Sequence, residues 1–174
     1  MTCMGVELAV FETWYSRTHP MVIGVVFAVC GDPDVSADAA DEAFTRALVK
    51  MRSAGVLAAP DAWVCKVALN VMRRRLRRRS VEARLLNRPA GREAASMAVS
   101  NPEVWTAVRA LPERQRLAIV LRYVGDMTEA DIASVMGVTR GTVAASLAAA
   151  RTRLRDLLDE PGPDPDRYLE VPHA

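Results

Sequence analysis

Apolar residues recur at intervals of three and four along most of this chain, and alternating patterns of any length are missing. The spacing predicts one group of helices near 6–17, 20–29 and 36–52, with a fourth that starts at Asp61. Pro and Gly in the stretches 31–34 and 58–61 predict the turns between them. The pattern therefore predicts an all-α protein.

A second group of helices is predicted between 102 and 158. Pro112 begins a helix that lasts until Gly125, Thr128 caps a short one, and Thr139 caps the last. We therefore expect two small helical domains, 6–79 and 102–158, joined by a less periodic linker, 80–101. The acidic, proline-rich tail, 159–174, is expected to be disordered.

Composition narrows the class of protein. Hydrophobic residues make up 51% of the 174 residues but aromatic ones only 5%, so the core should be aliphatic and alanine-rich. No apolar run approaches the roughly 18–20 residues that span a bilayer. The first twelve residues carry acids and no basic segment, so no signal peptide is expected. We expect a cytoplasmic protein that does not insert into membranes.

Candidate chemistry is sparse. Cys3, Cys30 and Cys65 show no CxxC spacing, so reduced buried thiols are favoured over the alternative of a zinc or redox site. His19 and His173 have no nearby partner in the sequence, and we expect no metal or cofactor. There is no phosphate-binding loop and no Ser/His/Asp set. An enzyme is therefore not expected.

Charge is strongly segregated, although the net charge is only +2. Residues 18–45 contain no Lys or Arg, and the acids there are Asp32, Asp34, Asp38, Asp41 and Glu42. Residues 66–92 are rich in arginine and hold the single acid Glu82. This separation suggests one partner for each sign of charge, and the basic cluster suggests nucleic acid.

Residues 128–154 have the pattern of a helix-turn-helix. Thr128 and Asp131 approximate a capping box, and Gly137 suits the left-handed turn between two helices. In the second helix one apolar side is formed by Val143, Leu147, Ala150 and Leu154. Such a helix enters the major groove of DNA in helix-turn-helix proteins, although a structural helical hairpin is the alternative.

The helix from Asp61 is apolar almost all round except for one strip, formed by Lys66, Asn70, Arg73 and Arg77. At helical spacing these four side chains lie within about 60° of each other. Four donors without an acid suit a phosphate backbone, and the Asn side chain can pair with a base edge. The alternative is an ordinary solvated face. Trp63 nearby is favoured as a core residue over a platform for base stacking.

Together these segments resemble the extracytoplasmic-function (ECF) group of sigma factors, the small two-domain members of the sigma-70 family. Residues 11–48 and the stretch "WVCKVALNVMRRRLRRR" at 63–79 resemble region 2. Residues 111–158 resemble region 4, with "LPERQR", "LRY", "MGV" and "GTV" in the family's order and spacing. The resemblance covers nearly the whole chain except the acidic tail.

The resemblance implies partners and site residues. Region 2 of such proteins docks on the β′ clamp coiled coil of core RNA polymerase, here through Asp38, Asp41, Glu42 and Phe44. It then binds the melted −10 element of promoter DNA, here through Lys66, Asn70, Arg73, Arg74 and Arg77. Region 4 contacts the β flap and reads the −35 element as duplex, here through Thr139, Arg140, Thr142, Ser146, Arg151 and Arg153. Whether an anti-sigma factor also binds stays open.

The second helix of the helix-turn-helix departs from the family because its outer face is filled with alanine. Only short side chains remain between Arg140 and Arg151, so contacts to phosphate and DNA shape should outweigh base readout. Two alternatives to a sigma factor therefore stay open. One is a stand-alone helix-turn-helix regulator, and the other is a degenerate adaptor that docks on polymerase but no longer reads promoters.

Overall fold

The computed structural model describes residues 3–55, 57–85 and 101–159, and this part of the chain contains seven helices and no strand. The all-α prediction is confirmed. In chain order the helices are α1 (Cys3–Cys30), α2 (Pro33–Ala54), α3 (Pro60–Leu85), α4 (Pro102–Ala110), α5 (Glu113–Tyr123), α6 (Glu129–Met136) and α7 (Arg140–Asp159).

The first two predicted helices are one. α1 continues through Pro20, although a proline inside a helix removes one backbone hydrogen bond. The residue is exposed, and apolar side chains on both sides of it, Trp14 before and Val22 and Val26 after, pack into the same core. Tertiary packing therefore holds together a helix that the local sequence signal divides.

The next two helices have clear end signals. Asp32 caps α2 by accepting a hydrogen bond from the Val35 amide at 2.9 Å, and Gly55, with φ 78°, follows its last turn. α3 runs to Leu85, six residues into the segment that the sequence analysis assigned to the linker. Residues 86–100 of that linker and the tail from 160 onward lie outside the described residues, and Asn101 directly precedes α4.

Helices α1, α2 and α3 pack around a largely aliphatic core that includes Val25, Leu69 and the ring of Phe44. Asp61, in the first turn of α3, ties the bundle together because it accepts a hydrogen bond from the Trp14 indole at 2.5 Å. In the second half, α5, α6 and α7 pack on one another around buried Leu121, and α4 leans on α7. The buried residues of the two halves join into one continuous apolar core.

The two halves also touch, through α1 with α5 and through α3 with α6. Lys66 of α3 donates a hydrogen bond to the backbone carbonyl of Ser134 in α6 at 2.8 Å. At the other contact, Gly24 and Val25 of α1 lie against the end of α5 and the residues after it, Val124 and Gly125. This close approach places the basic side of α3 next to the helix-turn-helix.

No single helix in the described part of the chain is long and apolar enough to cross a membrane. The bent pair α6 and α7 has the length and composition only when its two helices are taken together.

Candidate nucleic-acid interface

The helix-turn-helix forms as the sequence predicts. Thr128 caps α6 by accepting a hydrogen bond from the Asp131 amide, and Gly137 takes a left-handed conformation, φ 67° and ψ 38°. The chain bends by 101° between α6 and α7, within the range typical of DNA-binding helix pairs. The side chain of Thr139 accepts a hydrogen bond from the Thr142 amide at 3.2 Å and so caps α7. Both predicted caps and the glycine turn are confirmed.

The outer face of α7 is short-chained and largely committed to local bonds. Val143 and Leu147 face the core, which leaves the alanines on the exposed side, Ala144, Ala145, Ala148 and Ala149. The Ser146 hydroxyl donates to the carbonyl of Thr142 at 2.7 Å, and the hydroxyls of Thr139 and Thr142 bond to each other at 2.9 Å. All three hydroxyls therefore already have hydrogen-bond partners within α7 or at its start.

Long donors stand at the two ends of that face. Arg140 lies at the start of α7, and Arg151 and Arg153 lie three turns later; all three are exposed. Arg151 donates a hydrogen bond from Nε to the Tyr123 hydroxyl at 3.1 Å. Tyr123 ends α5 and is 63% exposed, so an aromatic ring stands beside the arginine. Sequence reasoning assigned no role to Tyr123, although the residue lies in the "LRY" stretch that carries part of the resemblance.

The basic strip of α3 is also formed. Lys66, Asn70 and Arg77 are exposed and Arg73 is half-buried. Two side chains of the strip contact the second half of the chain: Lys66 bonds to Ser134, and Arg73 lies 3.9 Å from a carboxylate oxygen of Glu113. The strip therefore holds donors in the predicted register, and two of them already have partners in α5 and α6.

Arg74 does not share the strip. Its guanidinium turns toward α2 and donates to Glu42 Oε1 at 2.9 Å. Two further arginines of α3 do the same, because Arg75 donates to Asp38 at 2.5 Å and Arg79 to Asp32 at 2.5 Å. These cross-helix pairs were not foreseen, since sequence separation hides that α2 and α3 lie side by side.

The four residues assigned to polymerase docking separate into two kinds. The side chains of Asp38 and Asp41 are 55% and 64% exposed, and that of Glu42 is 31% exposed. Asp41 pairs with His19 at 2.8 Å, a partner that the sequence analysis did not give that histidine. Phe44 is only 2% exposed and packs among the rings of Trp14, Tyr15 and His19. In this form the Phe44 ring belongs to the core, because its position on α2 faces α1.

Trp63 is half-buried against the core, with the Lys50 ammonium 5.9 Å from its ring centroid. Cys65 is buried, and desolvation, with the charge of Asp61 as a smaller cause, raises the pKa of its thiol to about 12. Such a thiol stays protonated and unreactive at neutral pH. Within the described residues no three His, Cys, Asp or Glu side chains cluster in a way that could hold a metal ion.

Comparison with known proteins matches both halves to one family. The family model for Sigma-70 region 2 matches residues 14–81, and the model for Sigma-70, region 4 matches residues 102–154. The ECF RNA polymerase sigma factor SigW of Bacillus subtilis is 26% identical over 152 residues, which cover 75% of this chain and 81% of that protein. SigF of Mycobacterium tuberculosis is 40% identical over 62 residues, 35% of this chain and 24% of that protein.

A solved structure shares the fold. The sigma factor RpoE in complex with the anti-sigma factor NepR from Bartonella quintana aligns with a TM-score of 0.69, over 86% of this chain and 97% of that chain. The sequence identity is 22%, so this likeness shows the fold alone. Because the region 2 match lies on the α1–α3 bundle and the region 4 match on the helix-turn-helix half, the chain belongs to the sigma-70 family of RNA polymerase sigma factors, in its extracytoplasmic-function group.

Proposed function

We propose that this chain directs core RNA polymerase to promoters by binding the melted −10 element with α3 and the duplex −35 element with α7. The observation that carries the proposal is the acid-free strip of Lys66, Asn70, Arg73 and Arg77 on the region 2 bundle, in a chain that also forms a helix-turn-helix. A strip of cations with an amide is suited to a single strand, whose phosphates and unpaired bases are both accessible. The chain has no catalytic role of its own.

Polymerase docking is assigned to the acidic face of α2. The carboxylates of Asp38 and Asp41 are exposed on one helix, and a basic coiled coil such as the β′ clamp would complement their charge. Phe44 is left out of this surface because its ring is buried. Region 4 is assigned to the β flap by family membership alone.

Binding of the −10 strand competes with contacts between the two halves. Lys66 is held by the Ser134 carbonyl and Arg73 lies beside Glu113, so a strand that uses both cations must displace these partners in α6 and α5. We therefore infer that docking on polymerase moves the two regions apart and so exposes the complete strip. The domain assignment follows: residues 6–79 act as region 2, 102–158 as region 4, and 80–101 as their connection, whose first residues extend α3.

We expect the contacts with the −35 element to discriminate weakly between DNA sequences but to fix the position of the protein on the DNA. The exposed alanines of α7 offer only methyl groups to thymine, and Thr142 and Ser146 are engaged in helix bonds. Arg140, Arg151 and Arg153 are exposed and can reach phosphates on either side of a groove, although Arg151 also donates to the Tyr123 hydroxyl. Phosphate contacts fix orientation and carry no sequence information directly.

An anti-sigma factor is a further proposed partner, supported by the related fold that was solved in complex with one. Since core polymerase and promoter DNA are cytoplasmic in bacteria, we assign the chain to the cytoplasm. The two alternatives are less well supported. A stand-alone regulator would not require the region 2 bundle, and a degenerate adaptor would not require an intact basic strip.

Run-off transcription with purified core polymerase on genomic fragments tests the proposal. Defined transcripts should appear only when the chain is added. The double variant Asp38→Lys/Asp41→Lys should lose them together with co-purification of polymerase. The control Asp156→Lys/Asp159→Lys makes the same change in net charge at the exposed end of α7. Transcripts that never appear, while the chain binds duplex DNA tightly alone, would favour the regulator instead.

A further inference from the structure

The α3 helix carries a second basic face, separate from the strip. At roughly 100° per residue, Arg75 lies about 180° around the helix from Lys66. With Arg46 of α2 and three neighbours it lines an open cleft of about 440 Å³ between α2 and α3, which we call the arginine cleft: its basic residues are Arg46, Arg74, Arg75, Arg78 and Arg79, and its acids are Glu42 and Glu82. So dense a set of guanidinium groups is unusual for a structural contact alone, because like charges side by side repel.

Acids of α2 hold three of these arginines in place. Glu42 alone accepts from three of them: Arg46 at 2.5 Å, Arg74 at 2.9 Å and Arg75 at 3.4 Å. Asp38 accepts a second bond from Arg75 at 2.5 Å. Asp38 and Glu42 are also two of the acids assigned to polymerase docking. The same carboxylates therefore face a basic partner on one side and the arginine cleft on the other.

We propose that the arginine cleft is a phosphate-binding surface for a single nucleic-acid strand, covered by the α2 acids in the free chain and uncovered when a basic protein surface binds Asp38 and Glu42. This inference rests on the proposed function and deepens it. A carboxylate that turns to an outside cation leaves its arginine without a partner, and guanidinium groups bind phosphate oxygens bidentately. Docking and strand binding then strengthen each other by the same factor.

The pairs are weak enough to exchange. The side chains of Glu42 and Arg75 are 31% and 37% exposed, so solvent screens their attraction. A carboxylate at this depth can leave one cation for another without an uncompensated charge being left in the core. Asp32 is excluded from the exchange because its other oxygen caps α2.

Neutralising the acid should imitate docking. Binding of a fluorescent oligo(dT) strand to the full chain, measured by anisotropy over a salt series, should tighten about two- to fivefold in Glu42→Gln. The slope of log K against log salt should steepen by about 0.7 for each arginine that gains a phosphate. Asp41→Asn is the matched control. It removes the same charge from the same helix, but the carboxylate of Asp41 pairs with His19 instead of an arginine.

Two further variants decide the cause. In an Arg75→Ala background the gain from Glu42→Gln should shrink, since one of the released donors is gone. If circular dichroism shows that Glu42→Gln does not fold, Asp38→Asn should give a smaller gain in the same direction, because it removes only one of the two carboxylates that bind Arg75. Equal effects of the Asp41 and Glu42 variants would overturn the proposal, because the change in net charge alone would then explain the tighter binding. This assay contains no polymerase, so its failure is distinct from a failure of run-off transcription.

Discussion

Two glycines at the contact between α1 and α5 should respond in opposite directions when each is replaced by alanine. Gly24 lies inside α1, and a methyl group there would sit 3.4 Å from Cγ1 of Val124, close to ordinary van der Waals contact. The replacement removes an unfavourable helical glycine, worth about 1 kcal/mol in a helix interior. We expect the free energy of unfolding to rise by about 0.5–1 kcal/mol.

At Gly125 the added methyl group would lie only 2.8 Å from the backbone carbonyl oxygen of Leu121 and 3.4 Å from Cγ2 of Val25. The carbonyl belongs to a helix whose Leu121 side chain is fully buried, so it cannot withdraw cheaply. Overpacking of this kind costs about 1–3 kcal/mol. The Gly125→Ala protein should therefore unfold at a lower urea concentration and a lower temperature than the wild type.

Urea and thermal unfolding, followed by far-ultraviolet circular dichroism, measure both changes. For a chain of this size 1 kcal/mol corresponds to roughly 2–4 °C in Tm. Gly141→Ala is the control outside the contact, since a methyl group there meets only the Thr139 hydroxyl at 3.9 Å. A Gly125→Ala protein as stable as wild type, or a Gly24→Ala protein clearly less stable than Gly141→Ala, would show that the chain around these two glycines does not pack as described.

Three other predictions concern single side chains. The Cys65 thiol should resist a disulfide exchange reagent at pH 8. It should also make the free energy of unfolding fall with rising pH, because its pKa is 9.0 when exposed and about 12 in the fold, so the unfolded chain loses the proton first. Rapid labelling in the native state would contradict this. Arg140→Ala and Arg151→Ala should each weaken duplex binding by a similar factor on all sequences. The salt dependence of binding, measured by filter binding, should fall by roughly one phosphate contact. A loss of sequence discrimination would mean that these arginines read bases. Asn70→Ala should leave polymerase binding intact but reduce permanganate reactivity of promoter thymines, and full strand opening would remove its role at the melted element.

Local signals were sufficient for much of the fold and of the candidate site. The caps at Thr128 and Thr139 and the turn at Gly137 depend on neighbouring residues only, and all three were confirmed. The register of the basic strip follows from the helical period, so the exposure of Lys66 and Asn70 could be predicted as well. The family resemblance rested on these same local patterns.

What the sequence could not determine depends on residues far apart in the chain that meet in space. The proline signal at Pro20 divides α1 locally, and packing on both sides of it restores one helix. Phe44 has the sequence position of a docking residue, yet the approach of α1 buries it. The turning of Arg74 and Arg75 toward Glu42, and of Lys66 toward Ser134, required the placement of whole helices. Helical period fixes which side chains share a face, whereas only tertiary packing decides which partner that face meets.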